Sequence, residues 1–316
     1  MPRIISFGEA LIDAFAEPGI PLRDMPALHT APGGAPANVA VALARLGADV
    51  GFVGKVGDDE FGRMLIDLMD GEGVDVSHFT ADPTAPTMMA IVATPSLTEQ
   101  DFVIYSGADA RLSPDDLSHD YITDADLFIY GSVTLAGDAG DTLRQVLQWI
   151  HNAARQTIFD VNLRPALWPD LDHARQCINA CIETATVLKV NEVELEFLTG
   201  QTDPERGIRK LLDRGVRLCC VSLGAEGAYF NAGHISGRVP AFPVEIGNTT
   251  GSGDAFVAGL AYQLSLQQAS IGDMDGAMMT EIVRFANACG ALAATQVGAM
   301  SGLPSLEAVE KFLQMN

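Results

Sequence analysis

Short runs of branched and aromatic residues alternate with amphipathic helical runs along most of the chain. Nothing else in the sequence constrains the fold as strongly. Strands separated by helix-length crossovers must lie parallel, so the pattern implies a mostly parallel sheet covered by helices on both faces. Strands are expected at 3–7, 50–53, 127–130, 157–161, 186–190 and 218–223. Helices are expected at 37–46, opened by Pro36 and stopped by Gly47, and at 59–69, 138–155, 173–184 and 204–214. The last third reads as helices at 255–266, 280–295 and 305–313.

Two stretches break the rhythm. Residues 14–31 are extended and punctuated by prolines, and 86–105 (PTMMAIVATPSLTEQDFVIY) form two β-rich segments joined by a polar turn. They predict a small antiparallel sheet standing off the parallel core as a lid, with segments at about 14–31 and 86–106. The competing reading is a pair of hairpins on the edge of the main sheet. There is no internal repeat or linker, so residues 1–316 are expected to form one domain.

Charge narrows the partners. With 41 acidic and 19 basic residues the formal net charge is -22, and no basic run offsets it. A nucleic-acid backbone or an anionic membrane needs clustered Lys and Arg, so both are excluded as partners. A hydrophobic content of 48% is too high for a disordered acidic chain. Cys177, Cys181, Cys219, Cys220 and Cys289 include no CxxC pair and read as buried thiols in a reducing compartment. The N-terminus reads as a strand and not a signal peptide, and no apolar run is long enough to span a bilayer, so a cytoplasmic location is expected.

The segment 248–260, NTTGSGDAFVAGL, carries the most chemistry. A strand-like run at 244–246 enters a glycine turn, and a helix begins near Asp254. Gly251, Ser252 and Gly253 can turn their N–H groups toward one point, where the helix N-terminus adds positive potential. That is an anion hole suited to a transferring phosphoryl group. A carboxylate at its mouth repels a resident phosphate unless it serves the incoming nucleophile, so Asp254 fits a general base for an attacking hydroxyl. The plainer reading is a helix N-cap. A second segment, PGGAPAN at 32–38, is a glycine-rich turn that lets backbone approach a ligand, and Asn38 offers an amide for hydroxyls, or is a polar first-turn residue.

Together these segments resemble the ribokinase-like (PfkB) carbohydrate kinases. The likeness runs through GEALID (8–13), GGAPANVAVALARLGADVGFVGKVGDDEFG (33–62), FDVNLRPALW (159–168), LKVNEVELEFLTG (188–200), VSLGAEGA (221–228), NTTGSGDAFVAGL and the run from ANACGALAAT to VGA (286–299). Within the family the sequence looks most like bacterial fructokinases. The resemblance implies a three-layer α/β/α sandwich with a β-sheet lid, and transfer of the ATP γ-phosphate to a primary hydroxyl of a small sugar, fructose first. It implies a sugar site of Asp13, Gly34, Ala35 and Asn38, with Asp13 placed at the end of the first strand. Asp254 matches the family's base, and Gly251, Ser252 and Gly253 its anion hole.

On the nucleotide side the resemblance implies that Asn191 and Glu194 (the NxxE motif) organise Mg²⁺, with Glu194 acting through water, and that Ser222, Gly224, Gly227 and Asn287 frame the adenosine. A capping pair at a helix start explains Asn191 and Glu194 equally well locally. Lys189 and Arg164, at strand ends, read as cations for ATP phosphates or the migrating group, against plain salt bridges. A monovalent-cation site is implied at Asn248, Thr250 and the backbone near Ala293, Gln296 and Gly298. The family usually has Asp where Asn248 stands, and the lost charge weakens a K⁺ site. Ser106 follows Tyr105 where fructokinase-like sequences often carry Arg, which weakens the choice of fructose. A 2-keto-3-deoxygluconate kinase, an aminoimidazole riboside kinase and a non-catalytic sugar sensor are the alternatives. A dinucleotide oxidoreductase lacks its GxGxxG. A homodimer through the lid is also implied.

Overall fold

The computed structural model describes residues 3–17, 19–93 and 101–316. Strand β1 (Arg3–Phe7) runs into an excursion, β2 (Leu11–Phe15) and β3 (His29–Gly33), before α1 (Ala35–Arg45) and β4 (Asp49–Gly57). Then come α2 (Glu60–Gly71), β5 (Asp75–Asp82) and a second excursion, β6 (Met89–Ala93) and β7 (Asp101–Tyr105). The chain continues through α3 (His119–Thr123), β8 (Leu127–Gly131), α4 (Ala139–Asn152), β9 (Gln156–Asp160), α5 (Leu171–Ile182), β10 (Val187–Asn191) and α6 (Glu192–Thr199). It ends with α7 (Pro204–Leu212), β11 (Leu218–Ser222), β12 (Ala228–Asn231), β13 (Ser236–Val239), α8 (Ser252–Ser265), α9 (Gly276–Ala294) and α10 (Leu306–Met315).

The main sheet has the order β13-β12-β11-β10-β9-β8-β1-β4-β5. All pairs from β5 to β11 are parallel, and β12 and β13 extend the edge antiparallel. Alternate side chains feed two cores, as period-two geometry requires: Leu218 and Cys220 face one layer, Cys219 and Val221 the other. This is the expected three-layer sandwich. The cysteines are all free, and four of them are buried. Chain order reverses beside β1, which has β4 on one side and β8 on the other. A crevice at the carboxyl ends of such strands is where open α/β sheets place ligands.

The small sheet is separate, as expected, with the order β3-β2-β6-β7. Its two hairpins are antiparallel, but β2 and β6 join them in parallel. It starts at Leu11, earlier than the expected 14, and the expected polar turn at 94–100 lies outside the described residues. Leu11, Met88 and Ala90 form its inner face, packed on Val133 and Leu167 above the carboxyl ends of the main sheet.

The expected strand at 244–246 does not form. Pro240 and Pro243 have no amide to donate to a ladder, and the amides of Gly247 and Asn248 turn to Ala294 O at 2.9 and 3.1 Å. The sequence reading also passed over β5, β12 and β13. In β5 only Phe79 is buried, so its pattern is too polar to stand out. Among the described residues no helix is long and apolar enough to cross a membrane.

Candidate active site

The carboxyl ends of β1, β8, β9 and β10, the N-terminus of α1 and the first turn of α8 converge beneath the small sheet. Gly34 shapes the entry to α1. Its φ is +102°, and a Cβ there would lie 2.6 Å from Glu9 O, so only glycine lets the two chains pass this closely. The turn of α1 that follows places Asn38, 3% exposed, with its Nδ2 donating to Asp254 Oδ2 at 2.7 Å.

Helix α8 begins at Ser252, with Gly251 (φ +84°) as an N-cap that has no side chain to cap with. The reading of Asp254 as that cap therefore fails. Asp254 sits inside the first turn, buried, and its carboxylate points away to Asn38. Ser252 N–H turns back to Thr249 O at 3.2 Å, whereas the amides of Gly253 and Asp254 meet no acceptor among the described residues. Two first-turn donors therefore remain directed out of the helix, where its dipole favours an anion. Burial pushes Asp254 up to about 6, against the lowering effect of the Asn38 bond.

Lys189 lies in the middle of β10, not at its end, and is 5% exposed. Its Nζ forms an ion pair with Asp160 Oδ1 at 3.1 Å, and it would lie 3.3 Å from a Cβ on Gly253. The cation is therefore beneath the α8 turn. Burial works to lower its pKa, but the charges of Asp160 and Glu194 outweigh burial and hold it up. Register explains the pair: Lys189 stands opposite Asp160 across β9 and β10. Asp160 was missed in the sequence, although a lone Asp closing the apolar run TIFD was the available signal.

Asp13 is not at the end of β1. It sits within β2 of the small sheet, and its carboxylate occupies the space that a Cβ on Gly33 would fill. Burial, reinforced by the charge of Asp254, pushes it up to about 6. Arg164 is exposed, makes no ion pair among the described residues, and acts electrostatically on both Asp13 and Asp254. Ala35 opens α1 between Gly34 and Pro36 and lines a cleft shared with Asp160 and Asn162.

The remaining expected residues fall into two other groups. Asn191 caps α6 in a capping box with Glu194, and Glu194 also accepts Leu163 N–H at 2.9 Å. Burial raises the Glu194 pKa against the pull of Lys189. Ser222 ends β11, Gly224 and Gly227 bound the next turn, and Asn287 donates to Val239 O and Pro240 O at 3.1 Å, so these residues meet on one wall. Asn248 Oδ1 accepts Thr250 N–H at 2.8 Å, and Gln296 N–H turns to Ala293 O at 3.2 Å. Gly298 lies in the turn after α9, in the left-handed region. Among the described residues no cluster of three or more His, Cys, Asp or Glu could hold a metal ion.

The sequence matches the profile described as pfkB family carbohydrate kinase over residues 1–306. Fructokinase-1 of Zea mays is 40% identical over 317 residues, 98% of each chain. A fructokinase from Xylella fastidiosa solved with bound ATP superposes with a TM-score of 0.90 at 32% identity, covering 99% of this chain and 98% of that one. A fructokinase double mutant from Vibrio cholerae O395, in a form with fructose, ADP and potassium ion bound, gives 0.88 at 32% identity over 99% and 98%.

Proposed function

The chain belongs to the pfkB family of carbohydrate kinases, and we propose that it phosphorylates fructose on its 6-hydroxyl with ATP. One observation carries the chemistry: a buried carboxylate, Asp254, is held by Asn38 beside two amides at the start of α8 that meet no acceptor among the described residues. Asp254 accepts the proton of the sugar hydroxyl as its oxygen attacks the γ-phosphorus, and the bond to the ADP oxygen breaks. The Gly253 and Asp254 amides hold the phosphoryl oxygens, and Lys189 adds positive potential from below. Asp13 and Asn38 take sugar hydroxyls, with Gly34 and Ala35 supplying close backbone. The small sheet closes over the sugar and excludes water, a competing acceptor.

Mg²⁺ would neutralise ATP phosphate charge here. Each Glu194 oxygen is already engaged by a backbone N–H, and the side chain is 3% exposed. That fits a hold through water rather than direct ligation, as expected for an ion that keeps much of its shell. Asn248, Thr250 and the 293–298 backbone offer neutral oxygens to a monovalent cation. Without a carboxylate, K⁺ activation should be weak.

An ADP-release assay over ketoses, aldoses, nucleosides and sugar acids tests the reading, with fructose expected as the preferred acceptor. Sugar binding with no turnover of any of them would mean a sensor instead. The pH profile carries a sign. Asp254 must be ionised to act, so kcat/KM should fall as pH drops below about 6 and level off above it. Asp13 ionises in the same range and should steepen the acid limb. A profile flat from pH 5 to 8 would contradict this. Arg164→Ala should lower kcat by roughly 10- to 100-fold with little change in Tm, because an exposed side chain that makes no ion pair among the described residues contributes little to stability. An unchanged kcat would assign Arg164 to the surface alone.

A further inference from the structure

Arg45 is the last residue of α1, and its guanidinium is bonded on two sides. Nε and one terminal nitrogen meet the two oxygens of Glu72, at 2.8 and 2.5 Å, where Glu72 caps the end of α2. The pair is half-buried, and the Arg45 bond holds the Glu72 carboxyl below its usual range. The other terminal nitrogen donates to Met300 O at 3.1 Å and to Leu303 O at 2.8 Å. Those carbonyls belong to the loop between α9 and α10, more than 250 residues further along the chain. A planar fork with donors on both edges can bridge a carboxylate and two carbonyls, which a single ammonium cannot do.

This loop is the wall behind the start of α8. Ala299, one residue before Met300, packs so closely on Gly251 that a Cβ there would lie 3.0 Å from Ala299 Cα. Gly251 is the N-cap of α8, and the Gly253 and Asp254 amides follow in its first turn. Among the described residues, Ser301 Oγ donates to Val297 O at 3.0 Å and Leu303 N–H to Met300 O at 3.5 Å, bonds that stay within the loop. Arg45 thus ties the loop backbone to the body from outside. Asn38 stands seven residues before it, two helical turns and about 10 Å away on the same face of α1. One helix therefore grips the catalytic turn twice, Asn38 holding the Asp254 carboxylate and Arg45 the loop behind Gly251.

We propose that Arg45 is a positioning residue for phosphoryl transfer, holding the 299–303 loop against Gly251 so that the Gly253 and Asp254 amides keep their aim at the phosphoryl oxygens. The proposal rests on the reading of the α8 turn as an anion hole. Misplacement of such donors by a fraction of an ångström weakens an interaction made chiefly in the transition state, so it lowers kcat more than it raises KM. Asp13 on the sugar side and the Ser222–Asn287 wall lie outside the Arg45 contacts, so ground-state binding should persist.

The test is steady-state kinetics of the full chain, with each variant assayed at a temperature where circular dichroism shows it folded. Arg45→Ala should lower kcat by roughly 10- to 100-fold, with KM for sugar and for ATP changed by less than about threefold. Arg45→Lys, which keeps a cation for the carbonyls without the fork, should retain more kcat than Arg45→Ala. Glu72→Gln loses the ion pair but leaves Arg45 both carbonyls, so Tm should fall while kcat changes by less than about threefold. A kcat for Arg45→Ala within about threefold of wild type would overturn the proposal. So would a loss in Glu72→Gln as deep as that in Arg45→Ala, since activity would then follow the ion pair and not the loop. Should Arg45→Ala not fold, Arg45→Lys and Glu72→Gln carry the same comparison. Absence of sugar turnover in the wild type would overturn the kinase reading and this proposal together, whereas an active wild type with an unimpaired Arg45→Ala overturns this proposal alone.

Discussion

Asp254→Asn should lower kcat by about 10²- to 10⁴-fold, the usual contribution of a positioned general base. The amide matches the carboxylate in size and can still accept the Asn38 Nδ2 hydrogen bond, so the pocket should keep its shape and KM for ATP should change little. What is lost is basicity alone. Stability should move the other way. The native pKa of Asp254, about 6, exceeds its ordinary 3.8, so the folded state holds this proton more tightly. Its ionisation therefore costs stability progressively as pH rises from about 4 to 6, and the cost persists above. Asp254→Asn should then raise Tm at pH 8 by more than at pH 4. A slow enzyme that is also more heat-stable at pH 8 cannot be dismissed as misfolded. A kcat within tenfold of wild type would remove Asp254 from the role of base.

Lys189→Met should produce the largest loss of stability. The ion pair with Asp160 is buried on both sides, and removing one partner strands a charge in the core, at a cost of about 3–5 kcal/mol. Adding Asp160→Asn removes the stranded charge and should restore most of that loss, readable by urea or thermal denaturation. Activity should not recover with it. The Lys189 ammonium lies under Gly253, where phosphoryl charge develops, and no neutral pair supplies that potential. Recovery of both stability and kcat in the double variant would make the pair purely structural.

Much of this architecture is legible in the sequence because the parallel strands are buried on both faces. Runs such as Ile4–Phe7 and Leu218–Val221 are almost wholly apolar, and helical stretches separate them. Legibility fails where shape depends on partners distant in sequence. The β2–β6 pairing cannot be read from either segment, and so Asp13 was placed at the end of β1. The run at 244–246 looks like a strand until two prolines and a competing acceptor, Ala294 O, are weighed. At the site, glycine turns announce the α8 entrance, but Asn38 and Asp254 stand 216 residues apart and their bond leaves no local trace. Asp160 was passed over for a related reason. Single acids at strand ends look like ordinary solvated termini until folding buries them.

The small sheet is assembled from two excursions that leave the main chain far apart, Ile12 pairing with Met89. Among the described residues neither hairpin has a core of its own, since Leu11 and Ala90 contribute to one shared apolar face. Closing so long a loop is entropically costly until β1, β4 and β5 have already brought its ends together. The parallel body therefore templates this sheet, which should be the last element to gain protection from hydrogen exchange during refolding. A nascent chain is then committed to its fold before it can enclose a sugar.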